Sequence, residues 1–318
     1  VMVKKPIIVL TGPTAVGKTE LSISLAQKIN GSIISADSMQ VYKYMDIGSA
    51  KITNEEMCGV KHYLVDELMP EEEFNIYRFK EMALKALEEI YAEGKIPIIV
   101  GGTGFYIQGL LYDIDFSETA ADEAYRKEME DCARKNGAHA LHELLREVDP
   151  ESCDAIHENN VKRVIRALEY YHQTGQKISD HNKKEREKQS PYNFAYFVLN
   201  DIRENLYSRI DKRVDLMVEN GLVDEVKRLK VMGYTPDMVS MQGLGYKEIL
   251  WYLDNRCTLN EAVETIKQET RHFAKRQLTW FRREKEVVWI DKDKFDYDNN
   301  RILDFISNTL EEKRIINC

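Results

Sequence analysis

A glycine-rich loop between an apolar run and a helical pattern is the feature that most restricts how this chain can fold. Residues 7–10 form the apolar run, and residues 12–19 follow it with the pattern G-x-x-x-x-G-K-T. Leu21, Leu25 and Ile29 then recur one helical turn apart. In this context the loop binds phosphate, because the free N–H groups and the macrodipole of a helix N-terminus attract phosphate oxygens. We therefore predict a site for a di- or triphosphate.

Each residue type in the loop has a physical reason to be there. Gly17 permits close backbone approach, Lys18 adds a positive charge, and the Thr19 hydroxyl can hold Mg²⁺. Sites of this kind usually include a strand-end Asp that supports the Mg²⁺. Asp66 and Asp291 both end apolar runs, but strand-end Asp residues are common, so the sequence does not identify this carboxylate. The predicted diphosphate-binding residues of the loop are Gly12, Pro13, Thr14, Ala15, Val16, Gly17, Lys18 and Thr19.

Strand and helix patterns alternate through much of the chain. Apolar runs at 32–35, 98–100, 194–199 and 287–290 alternate with helical patterns at 79–91, 205–230 and 259–281. This alternation predicts an α/β fold with a parallel sheet flanked by helices, similar to P-loop NTPases.

The middle of the chain has a different character. Residues 113–193 read as mostly helical and polar, and the densely charged stretch 177–190 is typical of a solvated helix face or a loop. We predict a catalytic core formed by 1–112 and 194–318, interrupted by a helical insertion domain over 113–193.

Composition limits the functional classes. Among 318 residues, 45 Lys and Arg against 54 Asp and Glu give a net charge of −9, which excludes a uniformly basic nucleic-acid-binding surface but not a local basic patch. No apolar run reaches the roughly 18 residues of a membrane span. Five scattered cysteines without a CxxC pair predict reduced thiols. We expect a cytoplasmic protein without membrane contact.

Two further strand ends carry polar side chains that can do chemistry. Asp37 follows the run 32–35, and Thr103 follows the run 98–100. Ligands of open α/β sheets bind outside the carboxyl ends of the strands. Asp37 can therefore be a general base or a Mg²⁺ ligand, and alternatively a helix-capping or turn residue. Thr103 can donate to a phosphate or leaving-group oxygen, or be an ordinary loop hydroxyl.

Basic residues cluster far downstream in an otherwise acidic chain. Arg209 and Arg213 share one helix face, where they could instead form ion pairs with Asp211 and Asp215. The segment 271–283 holds five Lys or Arg, no acid and three aromatic residues. Such a mixture can bind phosphate backbones and stack unpaired bases, although an amphipathic helix with buried aromatics explains it as well.

Together these segments resemble the tRNA dimethylallyltransferase (isopentenyltransferase) family. The resembling segments are 12–19, 36–42, 59–62, 101–106, 162–169, 213–217, 243–248 and 275–282. Phe105 replaces a leucine that is usual in the family. No Cys/His ligand spacing follows Trp289, so the chain is similar to the bacterial type rather than to relatives with a zinc finger.

The resemblance implies a reaction. A dimethylallyl group passes from dimethylallyl diphosphate to N6 of the adenosine 3′-adjacent to the anticodon in tRNA, giving N6-isopentenyladenosine and diphosphate. It also implies that the loop holds the prenyl diphosphate instead of a nucleotide, with Mg²⁺ on Thr19. The implied catalytic residues are Asp37 as base, Thr103 at the bridging oxygen, and Lys18 and Arg213 on the diphosphate.

The resemblance further implies that a monomer grips the anticodon stem-loop of tRNA, with the insertion as a clamp. The implied tRNA-binding residues are Asp37, Ser38, Met39, Gln40, Thr103, Arg126, Lys162, Arg163, Val164, Ile165, Arg166, Gln242, Gly243, Leu244, Gly245, Tyr246, Lys247, Lys275, Arg276, Gln277, Leu278, Thr279, Trp280, Phe281 and Arg282.

Two other functions fit parts of the sequence. A P-loop kinase for a small molecule or nucleotide would use Lys18, Thr19 and Asp37 similarly, but it leaves the basic and aromatic segment 271–283 unexplained. A non-catalytic RNA-binding protein could use the loop to sense a nucleotide. Phosphate release from ATP would favour the kinase, and RNA binding without covalent change would favour the binding protein.

Overall fold

A parallel β-sheet forms the centre of the larger part of the chain. The computed structural model describes residues 4–114 and 122–316. Within those residues the strands are β1 (Pro6–Thr11), β2 (Gly31–Ser35), β3 (His62–Tyr63), β4 (Ile96–Gly101), β5 (Asn193–Asn200) and β6 (Val287–Asp291). Their order across the sheet is β3-β2-β4-β1-β5-β6, and every neighbouring pair is parallel. The predicted α/β class is confirmed.

Helices cover the sheet and form the insertion. The α-helices in the described residues are α1 (Lys18–Ile29), α2 (Ile76–Ala92), α3 (Gly104–Leu111), α4 (Glu123–Asn136), α5 (Ala138–Val148), α6 (Pro150–Ala155), α7 (Val161–Thr174), α8 (Ile178–Glu187), α9 (Arg203–Glu219), α10 (Leu222–Val231), α11 (Tyr246–Leu253), α12 (Leu259–Phe281) and α13 (Asn299–Glu312). None of these described helices is long and apolar enough to cross a bilayer.

Two compact units result. One takes in residues up to 111 and from 191 onward and contains the sheet, and the other takes in residues 112–190 and contains α4–α8. The sheet strands are buried on both faces, so they are continuous apolar runs rather than alternating ones. Ile8, Leu25 and Phe197 belong to one core cluster and have no exposed surface. Burying a side chain of this kind stabilises the fold by about 1.5–3 kcal/mol.

One helix prediction is wrong. The pattern over 205–230 predicted a single helix, but α9 ends at Glu219 and α10 begins at Leu222. Gly221 between them has φ of 99°, a left-handed conformation that glycine adopts without steric cost and that ends a helix. The apolar spacing continues across the break because each helix buries its own apolar residues. The charged stretch 177–190 contains α8 and is therefore largely a helix.

A buried carboxylate holds the insertion together. Asp149 has no exposed surface, and it accepts bonds from the backbone N–H groups of Ser152 (3.1 Å) and Ser179 (3.0 Å). It also accepts bonds from both serine hydroxyls, at 2.6 and 2.7 Å. Burial raises the pKa of Asp149, but these hydrogen bonds outweigh it and leave the pKa below its usual value. Asp149 therefore joins the start of α6 to α8.

We expect Asp149→Ala to lower the free energy of unfolding of the insertion by about 2–4 kcal/mol, because it removes a helix cap and leaves buried donors unpaired. Denaturant titration with hydrogen exchange of α5–α8 measures this. Asp154→Ala is the matched control. Asp154 is exposed, and among the described residues its one ion pair is with Arg146, at 3.3 Å from nitrogen to oxygen on the surface. In the wild type the same contribution is present above the unfolded pKa and is lost as pH falls through the lowered folded pKa. Equal effects of the two variants would contradict this role.

Candidate active site at the strand ends

A crevice of about 690 Å³ lies at the carboxyl ends of the central strands. The phosphate loop, residues 37–40 and residues 101–103 form one side of it. Residues of α9, α12 and the segment 242–247 form the rest. The crevice thus collects the predicted strand-end residues and the downstream basic residues in one place, as the rule for open α/β sheets predicts.

The strand ends are packed against one another through their backbones. Thr11 lies opposite Gly101, and its hydroxyl donates to the Gly101 carbonyl at 2.5 Å. A Cβ atom at Gly101 would lie 2.4 Å from the carbonyl of Ala36, so no side chain fits there. The N–H of Thr103 in turn donates to the Ala36 carbonyl at 3.2 Å. Asp37 and Thr103 are therefore fixed relative to each other by main-chain contacts.

The Asp37 carboxylate stabilises a turn, one of the roles considered from sequence. Its Oδ1 accepts the N–H groups of Met39 (2.7 Å) and Gln40 (3.2 Å). All hydrogen bonds that the described residues make to this carboxylate go to Oδ1. Asp37 also lines the crevice, so its role as a base stays a prediction.

Lys18 sits among other charges at the loop. Its ammonium donates to the carbonyls of Gly12 (2.9 Å) and Pro13 (2.8 Å). Burial and the nearby Arg213 guanidinium lower the pKa of Lys18 to about 7, against an opposing effect of Asp37. A bound anion would reverse this, because it stabilises the charged ammonium.

Arg213 faces the crevice and is not used in a surface ion pair. Burial lowers its pKa, and the charge of Asp37 opposes that effect. The two acids proposed as alternative partners bind residues of α12 instead. Asp211 pairs with Arg271, and Asp215 pairs with Lys267 at 2.8 Å. The ion-pair interpretation of the arginine cluster on α9 therefore fails in this structure.

Two more cations hold the outer side of the phosphate loop. Arg209 donates from Nε to the Ala15 carbonyl at 2.8 Å, and Lys292 donates from Nζ to the Val16 carbonyl at 3.2 Å. Lys292 is 7% exposed, and burial and Arg209 lower its pKa. Sequence reasoning missed Lys292. Its place directly after the apolar run of β6 was the available signal, since that run ends at the same edge of the sheet.

The two carboxylates considered as metal-side partners have other roles. Asp66 binds Lys51 at 2.9 Å. Asp291 accepts from Asn200 at 2.9 Å and from Lys294 at 2.6 Å. No cluster of three His, Cys, Asp or Glu residues suited to a metal is found in the part of the chain that the structure describes. Thr19 is exposed and lines the crevice, which fits Mg²⁺, an ion that keeps several waters and binds through substrate phosphates with few protein ligands.

The segment 243–248 divides into crevice-lining and buried residues. Its glycines, Leu244 and Lys247 line the crevice. Tyr246 has no exposed surface, and its hydroxyl donates to Glu225 at 2.7 Å. The Glu225 carboxylate also accepts the N–H groups of residues 46–48. The side chain of Tyr246 is therefore a support for the loop after Asp37 and is not available to RNA.

The basic and aromatic segment likewise has two sides. Arg276 and Gln277 line the crevice, whereas Phe281 has no exposed surface. The Trp280 ring packs edge-on against Phe105, with 6.2 Å between ring centroids. The segment thus belongs to an amphipathic helix that buries Phe281 and turns Arg276 to the crevice, and binding of RNA by its cations stays a prediction. The remaining exposed residues of the segment are His272, Lys275, Thr279, Arg282 and Arg283, and Leu278 packs against the core.

The insertion has a separate basic crevice of about 710 Å³ on its α4 and α7 helices. Arg126 and Arg166, both predicted RNA contacts, line it together with Lys162. Glu169, fully buried, accepts two bonds from Arg126 (2.9 and 3.1 Å) and one from Arg166 (3.2 Å). The predicted RNA contact Val164 has no exposed surface, Ile165 is 4% exposed, and Arg163 is exposed.

Comparisons with known proteins identify the family. Residues 40–284 match the family model described as IPP transferase. The tRNA dimethylallyltransferase of Lachnoclostridium phytofermentans is 58% identical over 98% of this chain and 99% of its own length. The same enzyme of Acetivibrio thermocellus is 53% identical over 93% of this chain and 95% of its own length.

Solved structures agree with the sequence matches. The full-length tRNA isopentenylpyrophosphate transferase of Bacillus halodurans is 46% identical, with a TM-score of 0.74 over 98% of each chain. A eukaryotic dimethylallyltransferase acting on tRNA is 33% identical, with a TM-score of 0.79 over 96% of this chain and 80% of its own. The chain therefore belongs to the IPP transferase family, the family of the tRNA dimethylallyltransferases.

Proposed function

We propose that the strand-end crevice is the place where this chain carries out the reaction of its family. The chain transfers a dimethylallyl group from dimethylallyl diphosphate to N6 of the adenosine 3′-adjacent to the anticodon in tRNA. The products are N6-isopentenyladenosine and diphosphate. The observation that carries the assignment to this crevice is the fixed pair of Asp37 and Thr103, which lies beside a phosphate loop surrounded by cations.

The phosphate loop and its cations hold the donor. The first turn of α1 offers N–H groups without intrahelical partners, and together with Lys18 and Arg213 they donate hydrogen bonds to the diphosphate oxygens. These groups stabilise the negative charge that grows on the leaving diphosphate as the bond from C1 to oxygen breaks. Thr103 donates its hydroxyl to the oxygen that bridges the prenyl and diphosphate groups.

The acceptor nitrogen is activated by Asp37. The N6 amine attacks the prenyl C1, the bond to the bridging oxygen breaks, and the diphosphate departs with its electron pair. Asp37 Oδ2 takes the proton that N6 loses, while Oδ1 keeps the turn at Met39 and Gln40 in place. Removing the adenine from its stack costs a few kcal/mol, which protein contacts repay.

Mg²⁺ has one protein ligand in this proposal. Thr19 would hold it, and the ion when bound neutralises charge on the diphosphate.

Two parts of the chain bind RNA in this proposal, the insertion and α12. Lys162, Arg163 and the two arginines held by Glu169 bind phosphates through the insertion, and Arg276 with Arg282 does so through α12. We further propose a monomer acting in the cytoplasm.

We expect Asp37→Asn to reduce the rate of prenyl transfer by about 10²–10⁴-fold, because the substituted amide still accepts the turn N–H groups but cannot take a proton. The assay counts RNA-bound label from dimethylallyl diphosphate in one arm and phosphate release from ATP in the other. Binding of diphosphate, measured by calorimetry, should survive. Asp66→Asn, at a carboxylate outside the crevice, serves as the control. Full activity of Asp37→Asn would remove it as base, and ATP turnover without labelled RNA would favour a kinase.

The pKa of Lys18 predicts a pH dependence of diphosphate binding. With a pKa of about 7, the amine is charged below that pH and must take up a proton on binding above it. We therefore expect the affinity for diphosphate to fall between about pH 7 and pH 9, by up to about tenfold per unit, with proton uptake detectable in buffers of different ionisation enthalpy.

Lys18→Arg is the control for this experiment, because a guanidinium stays charged over the whole range. Its pH dependence should reflect only the ionisation of the diphosphate. If the wild type and this variant show the same pH dependence, Lys18 is not the titrating group.

Neutralising the insertion crevice should weaken RNA binding alone. We expect Lys162→Gln to raise the KM for tRNA and to reduce the salt slope of tRNA binding by about one, with an unchanged KM for the prenyl donor. Lys183→Gln is the matched control, since Lys183 is exposed on α8 and pairs with Glu151. An unchanged salt slope in Lys162→Gln would assign that lysine a structural role.

A further inference from the structure

Gln277 on α12 reaches the phosphate loop from the far end of the chain. Its side-chain oxygen accepts the N–H of Thr14 at 2.9 Å, and its Nε2 donates to the Gly102 carbonyl at 3.1 Å. The side chain is 6% exposed. A Cβ atom built at Gly102 would lie 2.1 Å from this Nε2, so the amide fills the space between the two strand-end loops.

This contact uses a group that phosphate loops otherwise offer to a ligand. The N–H groups of such loops cradle phosphate oxygens, and at Thr14 the N–H is bonded to Gln277. The adjoining carbonyls of Gly12 and Pro13 are bonded to the ammonium of Lys18. At the strand end of the loop, the Thr14 N–H is therefore already occupied by the amide of Gln277.

The helix end of the same loop remains open. The first N–H groups of α1 have no partners within the helix, and Thr19 lies exposed beside them. A diphosphate can use the donors of this end, whereas a third phosphate group would need the donors of the strand end, where the Thr14 N–H is already bonded to Gln277. The length of the open part thus limits the length of the phosphate chain.

We propose that Gln277 is a specificity-determining residue that closes the strand end of the phosphate loop, so that the crevice accepts a diphosphate and excludes a triphosphate. The inference rests on the proposed function, because it concerns the site assigned there to the prenyl donor. It explains how a loop of the kind common to ATP- and GTP-binding enzymes can select a ligand with two phosphate groups.

The test compares binding of inorganic diphosphate and inorganic tripolyphosphate, each with Mg²⁺, to the full chain by calorimetry without tRNA. The wild type should prefer diphosphate. Gln277→Ala should reduce that preference by about tenfold, because the Thr14 N–H becomes free to bind a third phosphate. Gln277→Met fills a similar volume without either hydrogen bond, so it frees the Thr14 N–H but keeps the space occupied, and it should reduce the preference by less than Gln277→Ala does.

Gln268→Ala is the matched control, since Gln268 is exposed on the same helix; it should keep the preference of the wild type. A preference that is unchanged in folded Gln277→Ala, or a wild type that prefers tripolyphosphate, overturns the inference. Calorimetry involves no prenyl transfer, so loss of the proposed function would appear separately, as absence of RNA-bound label in the wild type.

Discussion

The close approach of three parallel strands at their carboxyl ends is the constraint on which the site depends. The backbone at Gly101 leaves no room for a side chain beside Ala36, and Thr11 bonds the same residue from the other side. Because one contact is between main chains and the other joins a buried hydroxyl to a main-chain carbonyl, the loops that follow the strands are held together. The phosphate loop, Asp37 and Thr103 are consequently presented together, whatever their side chains do. Pre-positioning of this kind is what a catalytic constellation needs, since small displacements cost much of the rate.

A cluster of positive charges around the phosphate loop is the second feature of the site. Lys18, Arg209, Arg213 and Lys292 gather around the phosphate loop of a chain whose net charge is −9. Within the described residues, no carboxylate lies at ion-pair distance from any of them. Burying like charges together is costly, and the lowered pKa values of the two lysines express that cost. An anion in the crevice would offset it. These cations therefore make the crevice electrostatically favourable for a polyanion before any ligand binds.

Much of this could be predicted from sequence, because the signals are local. The strand–loop–helix around 12–19 and the polar residues after 32–35 and 98–100 each depend on a few neighbouring residues. What escaped prediction depends on tertiary contacts. The left-handed Gly221 divides a helix whose apolar spacing is continuous, and Lys292 reaches the loop from a distant strand end. Tyr246 is likewise a tertiary effect. Other residues of its segment line the crevice, but its own side chain is buried, and its hydroxyl donates to Glu225.

The phosphate loop by itself does not distinguish this chain from a kinase. What distinguishes the crevice is the set of other segments that meet the loop there. Residues of α9 and α12 do this physically: one helix contributes Arg213, and the other contributes Arg276 and the amide of Gln277. A general phosphate-binding element thus lies beside side chains that are about 200 or more residues away in the sequence, and only the fold brings them to it.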